Sequence, residues 1–126
     1  MKQLTIRMEN KVGELARVCE VLGSAGVNLR SISAQGEGSE GVVRLITEDE
    51  KTAMNTLKKN GFNAIASDTV ILSLTDKPGE LAKATKRLAS AGVNIHSVYL
   101  LGKEGGKADL VITADNLAAA MSALRK

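Results

Sequence analysis

Four residues in this chain place polar groups at turns, and they fall into two pairs: Gly13 with Gly79, and Asn28 with Asn94. Each glycine stands where a strand pattern gives way to a helix pattern. A glycine there leaves main-chain N–H groups uncovered, and a helix start lends them partial positive charge. That arrangement suits a small carboxylate. Each asparagine follows a Gly-Val step. Its amide offers one acceptor oxygen and two donor hydrogens, so it can meet both an ammonium and a carboxylate. The chemistry suggested is recognition of a small polar molecule. The competing reading is structural: the glycine serves its turn, and the asparagine caps the helix end or the strand start.

Bond-breaking chemistry finds no comparable support. The single histidine, His96, has no counterpart in the other half of the chain, where Arg30 holds its place. A lone histidine is more often structural than catalytic. No Cys/His cluster has metal-ligand spacing, so neither a metal nor a cofactor is expected. Glu14 and Glu80 fall in a first helical turn, where the helix dipole already favours a carboxylate. The Gly-rich stretch from Gly102 to Gly106 joins two strands and opens no helix, so it lacks the setting of a phosphate loop. The one cysteine, Cys19, excludes an intramolecular disulfide. It falls on the apolar face of the first helix pattern and is expected to be a buried, inert thiol.

The elements that position these residues are written twice. Asn10-Lys11-Val12-Gly13-Glu14-Leu15-Ala16 returns as Asp76-Lys77-Pro78-Gly79-Glu80-Leu81-Ala82, and Ser24-Ala25-Gly26-Val27-Asn28 returns as Ser90-Ala91-Gly92-Val93-Asn94. The separation is 66 in both cases. Ile46-Thr47 against Ile112-Thr113, and Asp49 against Asp115, extend it without a gap. Each copy is too long for a solenoid unit of ~20–50 residues, so the expectation is two small domains, 1–67 and 68–126.

Leu4 to Met8 and Val70 to Leu74 alternate as half-buried strands. Asn10 and Asp76 are expected to cap the helices that follow, with Pro78 just inside the second. Leu15, Val18, Cys19 and Leu22 have amphipathic helical spacing, repeated by Leu81, Ala84, Thr85 and Leu88. Gly26 and Gly92 end these helices in the left-handed conformation. Strands Val27–Ala34 and Val93–Leu101 come next, then hairpin loops at Gly36–Gly38 and Gly102–Gly106, then returning strands. Asp49 and Asp115 are expected to cap second helices whose apolar faces are Ala53, Met54 and Leu57, and Ala120, Met121 and Leu124. The order strand–helix–strand–strand–helix is that of a ferredoxin-like α+β unit: an antiparallel sheet with both helices on one face.

Only the first copy has a last strand, from Phe62 to about Ser67. No Gly or Pro interrupts 62–74, so the segment is expected to be one continuous strand shared by both copies. The alternative is a bend at Ser67-Asp68-Thr69 with two separate sheets.

Composition narrows the function. Aromatics are 2% of the chain, Phe62 and Tyr99, which leaves an aliphatic core and argues against single-strand nucleic-acid binding through stacked bases. The net charge of +3 comes from 17 basic and 14 acidic residues without a basic run, so no nucleic-acid footprint is present. No apolar stretch approaches a membrane span of ~18 residues, and no signal pattern opens the chain. A soluble, cytoplasmic protein is expected.

Asp76-Lys77-Pro78-Gly79-Glu80-Leu81 followed by Ala91-Gly92-Val93-Asn94-Ile95 resembles the ACT domain, a regulatory module that binds amino acids. Asn10-Lys11-Val12-Gly13-Glu14-Leu15 with Ala25-Gly26-Val27-Asn28-Leu29 is a second copy. The chain is similar to free-standing tandem ACT proteins, which carry no catalytic domain. The resemblance implies that the loops Asn10–Leu15 and Asp76–Leu81 approach an amino acid with their main chain, and that Asn28 or Asn94, beside Ile95, hydrogen-bonds it. It implies capture between paired ACT units, within the chain or in a homodimer, and regulation of a separate enzyme.

Two departures stand out: Val12 replaces the family's usual proline, and the second copy lacks the last strand. Arg30 or His96, Ser31 or Ser97, and Ser33 or Tyr99 are expected to set specificity. The Pro78-Gly79 loop is expected to do most of the binding. The alternative function is assembly without a ligand, as a regulatory subunit of an enzyme such as acetolactate synthase.

Overall fold

The computed structural model describes residues 1–125. It divides into two compact units, Lys2–Ser67 and a second that runs from Asp68 and includes Met1. The first contains β1 (Lys2–Glu9), α1 (Glu14–Ser24), β2 (Leu29–Glu37), β3 (Glu40–Thr47), α2 (Glu50–Lys59) and β4 (Asn63–Asp68). The second contains β5 (Val70–Thr75), α3 (Glu80–Ser90), β6 (Ile95–Glu104), β7 (Lys107–Ala114) and α4 (Leu117–Leu124). The fold is α+β. The first sheet has the order β2-β3-β1-β4 and the second β5-β7-β6. β3 runs antiparallel to β1 and β2, and β7 runs antiparallel to β5 and β6.

The period-two alternation builds the core. Leu4 lies opposite Leu45 and Ile6 opposite Val43, and all four are buried with Val18 and Leu22 of α1 and Ala53 and Leu57 of α2. In the second unit Val70 lies opposite Ile112, which is buried with Leu88 of α3 and Ala120 of α4. Gly26 and Gly92 do close α1 and α3, at φ 75° and 74°. The Val27 N–H donates to the Leu22 carbonyl at 3.0 Å and the Gly26 N–H to Gly23 at 3.0 Å. Val93 to Leu88 and Gly92 to Ala89 repeat this pairing, which satisfies the last carbonyls of each helix.

Several expectations are corrected. The ladder breaks at Thr69, because β4 belongs to the first sheet, beside β1, and β5 pairs with β7 in the second. Residues 62–74 are thus two strands in two sheets. Gly13 and Gly79, not Asn10 and Asp76, hold the N-cap positions of α1 and α3, and no side chain caps either helix. Pro78 therefore precedes α3. Cys19 is exposed, because the stripe of α1 that meets the sheet centres on Val18 and Leu22, with Leu15 also turned outward. Met121 of α4 is likewise exposed.

The repeat is not gapless. β6 carries a bulge between Leu100 and Gly102, so one residue is added to the second copy. Beyond Leu101 the equivalent separation is 67. Ala53, Met54 and Leu57 then match Ala120, Met121 and Leu124, and Asp49 matches Asn116. The caps agree. Asp49 accepts the Thr52 N–H at 3.0 Å, whereas in the second copy Asn116, not Asp115, accepts the Ala119 N–H at 3.0 Å.

Candidate functional site

β1 ends at Glu9 and α1 begins at Glu14, and the loop between them is the place where polar residues gather. Gly13 takes φ 92°, a left-handed conformation in which a β-carbon would be strained. Its outer face is open, with no atom within 4 Å of where a β-carbon would stand. Main-chain bonds from Lys11 N–H to Glu9 (3.1 Å) and from Glu14 N–H to Lys11 (3.3 Å) fold the loop tightly.

Asn10 is fixed twice. Its backbone N–H donates to the Ser39 carbonyl at 3.0 Å, and its side-chain Nδ2 donates to the Gly38 carbonyl at 3.0 Å. The amide lies flat over Gly36 of β2, so close that a β-carbon on Gly36 would stand 2.3 Å from Asn10 Oδ1. Asn10 is a loop anchor, not the helix cap.

A cavity of about 160 Å³ opens beside this loop. Its polar wall includes Asn10, Lys11, Glu14 and Gln35, and its apolar wall includes Met8, Leu15, Ala34 and Val42. Lys11 Nζ is 3.4 Å from Glu9 and Glu14 is 3.9 Å from Arg17, so the rim carries both signs of charge. Val12 is fully exposed at the loop tip.

The second copy builds the same turn with different contacts. The Asp76 N–H donates to the Gly106 carbonyl at 2.9 Å, and Gly79 takes φ 87°. Asp76 pairs with Lys103 at 3.2 Å, Lys77 reaches Glu80 at 3.8 Å, and Glu80 also meets Lys83 at 3.3 Å. Leu81, like Leu15, is partly exposed.

The asparagines do not join these loops within either unit. The Asn28 carbonyl accepts the Glu48 N–H at 3.2 Å, the Asn94 carbonyl accepts the Asp115 N–H at 3.1 Å, and the Asn94 N–H donates to Asp115 Oδ1 at 3.0 Å. Both asparagines therefore stand at the far end of β3 or β7 from the loop, a separation of roughly 25 Å along an eight-residue strand. Ile95, next to Asn94, packs against the second core. Arg30 and His96 fall where the β2–β3 and β6–β7 registers shift, Ser31 and Ser33 lie on β2 but do not line the cavity, and Ser97 and Tyr99 lie on β6. Gly36, expected in the hairpin loop, lies instead within β2. The signal for it was only a glycine near a hairpin, and its role depends on how far β2 extends.

Among the described residues no cluster of His, Cys, Asp and Glu could hold a metal ion, and no helix is long and apolar enough to cross a membrane. A family model for the ACT domain pair matches residues 1–124. The chain belongs to the ACT domain family. This ACT pair is 34% identical to protein BT0572 from Bacteroides thetaiotaomicron, whose crystal structure superposes with a TM-score of 0.88 over 98% of this chain and 85% of that one. The regulatory subunit of aspartate kinase from Thermus thermophilus, in its ligand-free form, shares the fold at 22% identity and a TM-score of 0.73, over 98% of this chain and 87% of that one. The corresponding subunit from Thermus flavus does so at 21% and 0.67, over 98% and 90%. No curated protein matches the sequence.

Proposed function

We propose that this ACT pair is a non-catalytic regulatory module that takes a small amino acid at the β1–α1 loop and passes the signal to a separate biosynthetic enzyme. The observation that carries this reading is the cavity beside Asn10, Lys11, Glu14 and Leu15. Lys11 and the uncapped start of α1 offer positive charge to a carboxylate. Asn10 Oδ1 and Glu14 offer acceptors to an ammonium, and Leu15 and Met8 receive a short side chain. Val12 and Gly13 contribute backbone. The same roles fall to Asp76, Lys77, Pro78, Gly79, Glu80 and Leu81 in the second copy. Asn28 and Asn94 would reach such a ligand only from another copy of the repeat, which is the case for a homodimer.

Thermal stability against each of the twenty amino acids tests the reading. A ligand at ~100 times its Kd adds ~2.7 kcal/mol to stability, and Asn10→Ala is expected to remove that gain. A melting temperature that no amino acid moves would sink it. One observation favours assembly without a ligand: β5 is a sheet edge beside a groove of about 330 Å³ that includes Leu72, Met121 and Leu124. Sedimentation equilibrium separates the two. A two-chain mass indifferent to every amino acid supports assembly alone.

A further inference from the structure

The bulge at Leu101 makes Lys103 the counterpart of Gly36. Gly36 pairs across its hairpin with Gly41, and Lys103 pairs across its own with Ala108. The loop residues above them also correspond, since Asn10 bonds to Ser39 as Asp76 bonds to Gly106. By the separation of 66 alone, Gly36 would match Gly102. Yet nothing lies within 4 Å of where a β-carbon on Gly102 would be, whereas one on Gly36 would strike Asn10.

The two copies therefore differ at one decisive place. In the first, the absence of a side chain at Gly36 lets the Asn10 amide lie on the strand and leaves the cavity open. In the second, a four-carbon stem rises from the equivalent strand position and sets its ammonium 3.2 Å from Asp76. A primary ammonium held against the loop's acidic residue is the group an amino-acid ligand would bring with it.

We infer that the first repeat is the ligand-taking one, that Lys103 occupies the second repeat's site as a built-in ammonium, and that Gly36 and Lys103 are the residues that decide between them. This inference rests on the reading that the β1–α1 loops receive the ligand. It reverses the expectation that the Pro78-Gly79 loop does most of the binding. Both members of the Lys103–Asp76 pair are about half exposed, at 55% and 44%, and exposed pairs add little to stability. Removing Lys103 therefore leaves the fold intact and makes a clean test.

The test is calorimetric titration of the whole chain with each of the twenty L-amino acids, comparing wild type, Gly36→Lys and Lys103→Gly. Wild type is expected to take one equivalent per chain, Gly36→Lys none and Lys103→Gly two. Circular dichroism checks that Gly36→Lys is folded, and the gain in Lys103→Gly stands even if that variant is not. Two equivalents in wild type, one in Lys103→Gly, or unchanged binding by folded Gly36→Lys overturns the inference and leaves the proposed function standing. No heat from any amino acid with any of the three proteins removes the proposed function and this inference with it.

Discussion

At the residue scale, Asp49 is a group whose ionisation the fold biases. Its Oδ2 accepts the Thr52 hydroxyl at 2.6 Å and its Oδ1 accepts the Thr52 N–H at 3.0 Å. These bonds, the hydroxyl's first, hold the carboxyl below its ordinary value. A folded-state value below the unfolded one means that the stability it contributes is present above the unfolded value and is lost as pH falls through the folded one. The window is therefore acidic, below about pH 4. Asparagine caps a helix as well as aspartate but does not titrate, as Asn116 illustrates on α4. Asp49→Asn keeps the acceptor for the Thr52 N–H but loses the charge and the acceptor for the Thr52 hydroxyl, so it is expected to melt slightly below wild type near neutrality and to show a shallower fall in melting temperature on acidification. Parallel acid limbs for the two proteins would refute this. The same residues show what the sequence could reveal of local chemistry. Asp49 was legible as a cap because the whole motif lies within four residues. Asn10 was not, because its neighbours Gly36 and Gly38 lie in β2 and in the turn that follows it, and the helix cap falls on Asn116 and not Asp115 because a single bulged residue at Leu101 shifts everything after it.

At the element scale, β4 depends on how α2 ends. Gly61 takes φ 81°, its N–H donates to Lys58 at 3.2 Å, and the Phe62 N–H donates to Leu57 at 3.0 Å. This turn points Phe62 into the core, where it is buried with Ala64, and the Arg17 guanidinium lies 4.3 Å from the ring centroid. Arg17 is held there by a 2.7 Å bond to the Asn60 carbonyl. Phe62 is one of only two aromatic residues in the chain, and no neighbour of similar size can fill its space. Phe62→Ala is expected to cost ~3–5 kcal/mol of unfolding free energy in urea. A loss below ~1 kcal/mol would mean that β4 is not anchored through this ring. The strand–helix order was legible here, since alternation and helical spacing are local patterns. The end of β4 was not. Between Phe62 and Leu74 only Asp68, at the bend named as the alternative, hints at a break, because the break arises where the pairing partner changes from β1 to β7, and pairing is decided by the whole sheet.

At the scale of the whole molecule, the two halves of one duplicated design differ, among the described residues, in where the first strand of each sits in its sheet. In the first unit β1 lies inside its sheet, between β3 and β4. Its core runs continuously from Leu4 and Ile6 to Phe62 and Ala64. In the second unit β5, the counterpart of β1, is an edge strand, and the buried cluster is Leu88, Val93, Ile112 and Ala120 with smaller partly buried neighbours such as Ala119 and Ala123. A unit of about 60 residues already buries a modest share of its surface, so an edge position for its first strand weighs heavily on it. An edge strand also has main-chain groups without a ladder partner on one side. Local opening should follow these differences, since few buried apolar contacts and exposed backbone bonds mark the segments that open most readily. Native-state hydrogen exchange is expected to show the protected amides of β5 exchanging at least about tenfold faster than those of β1, a difference of ~1.4 kcal/mol in opening free energy. The amides of α4 are expected to exchange faster than those of α2, which has both a longer helix and the larger core beneath it. Equal protection in β1 and β5 would mean that something other than the described residues shields the β5 edge.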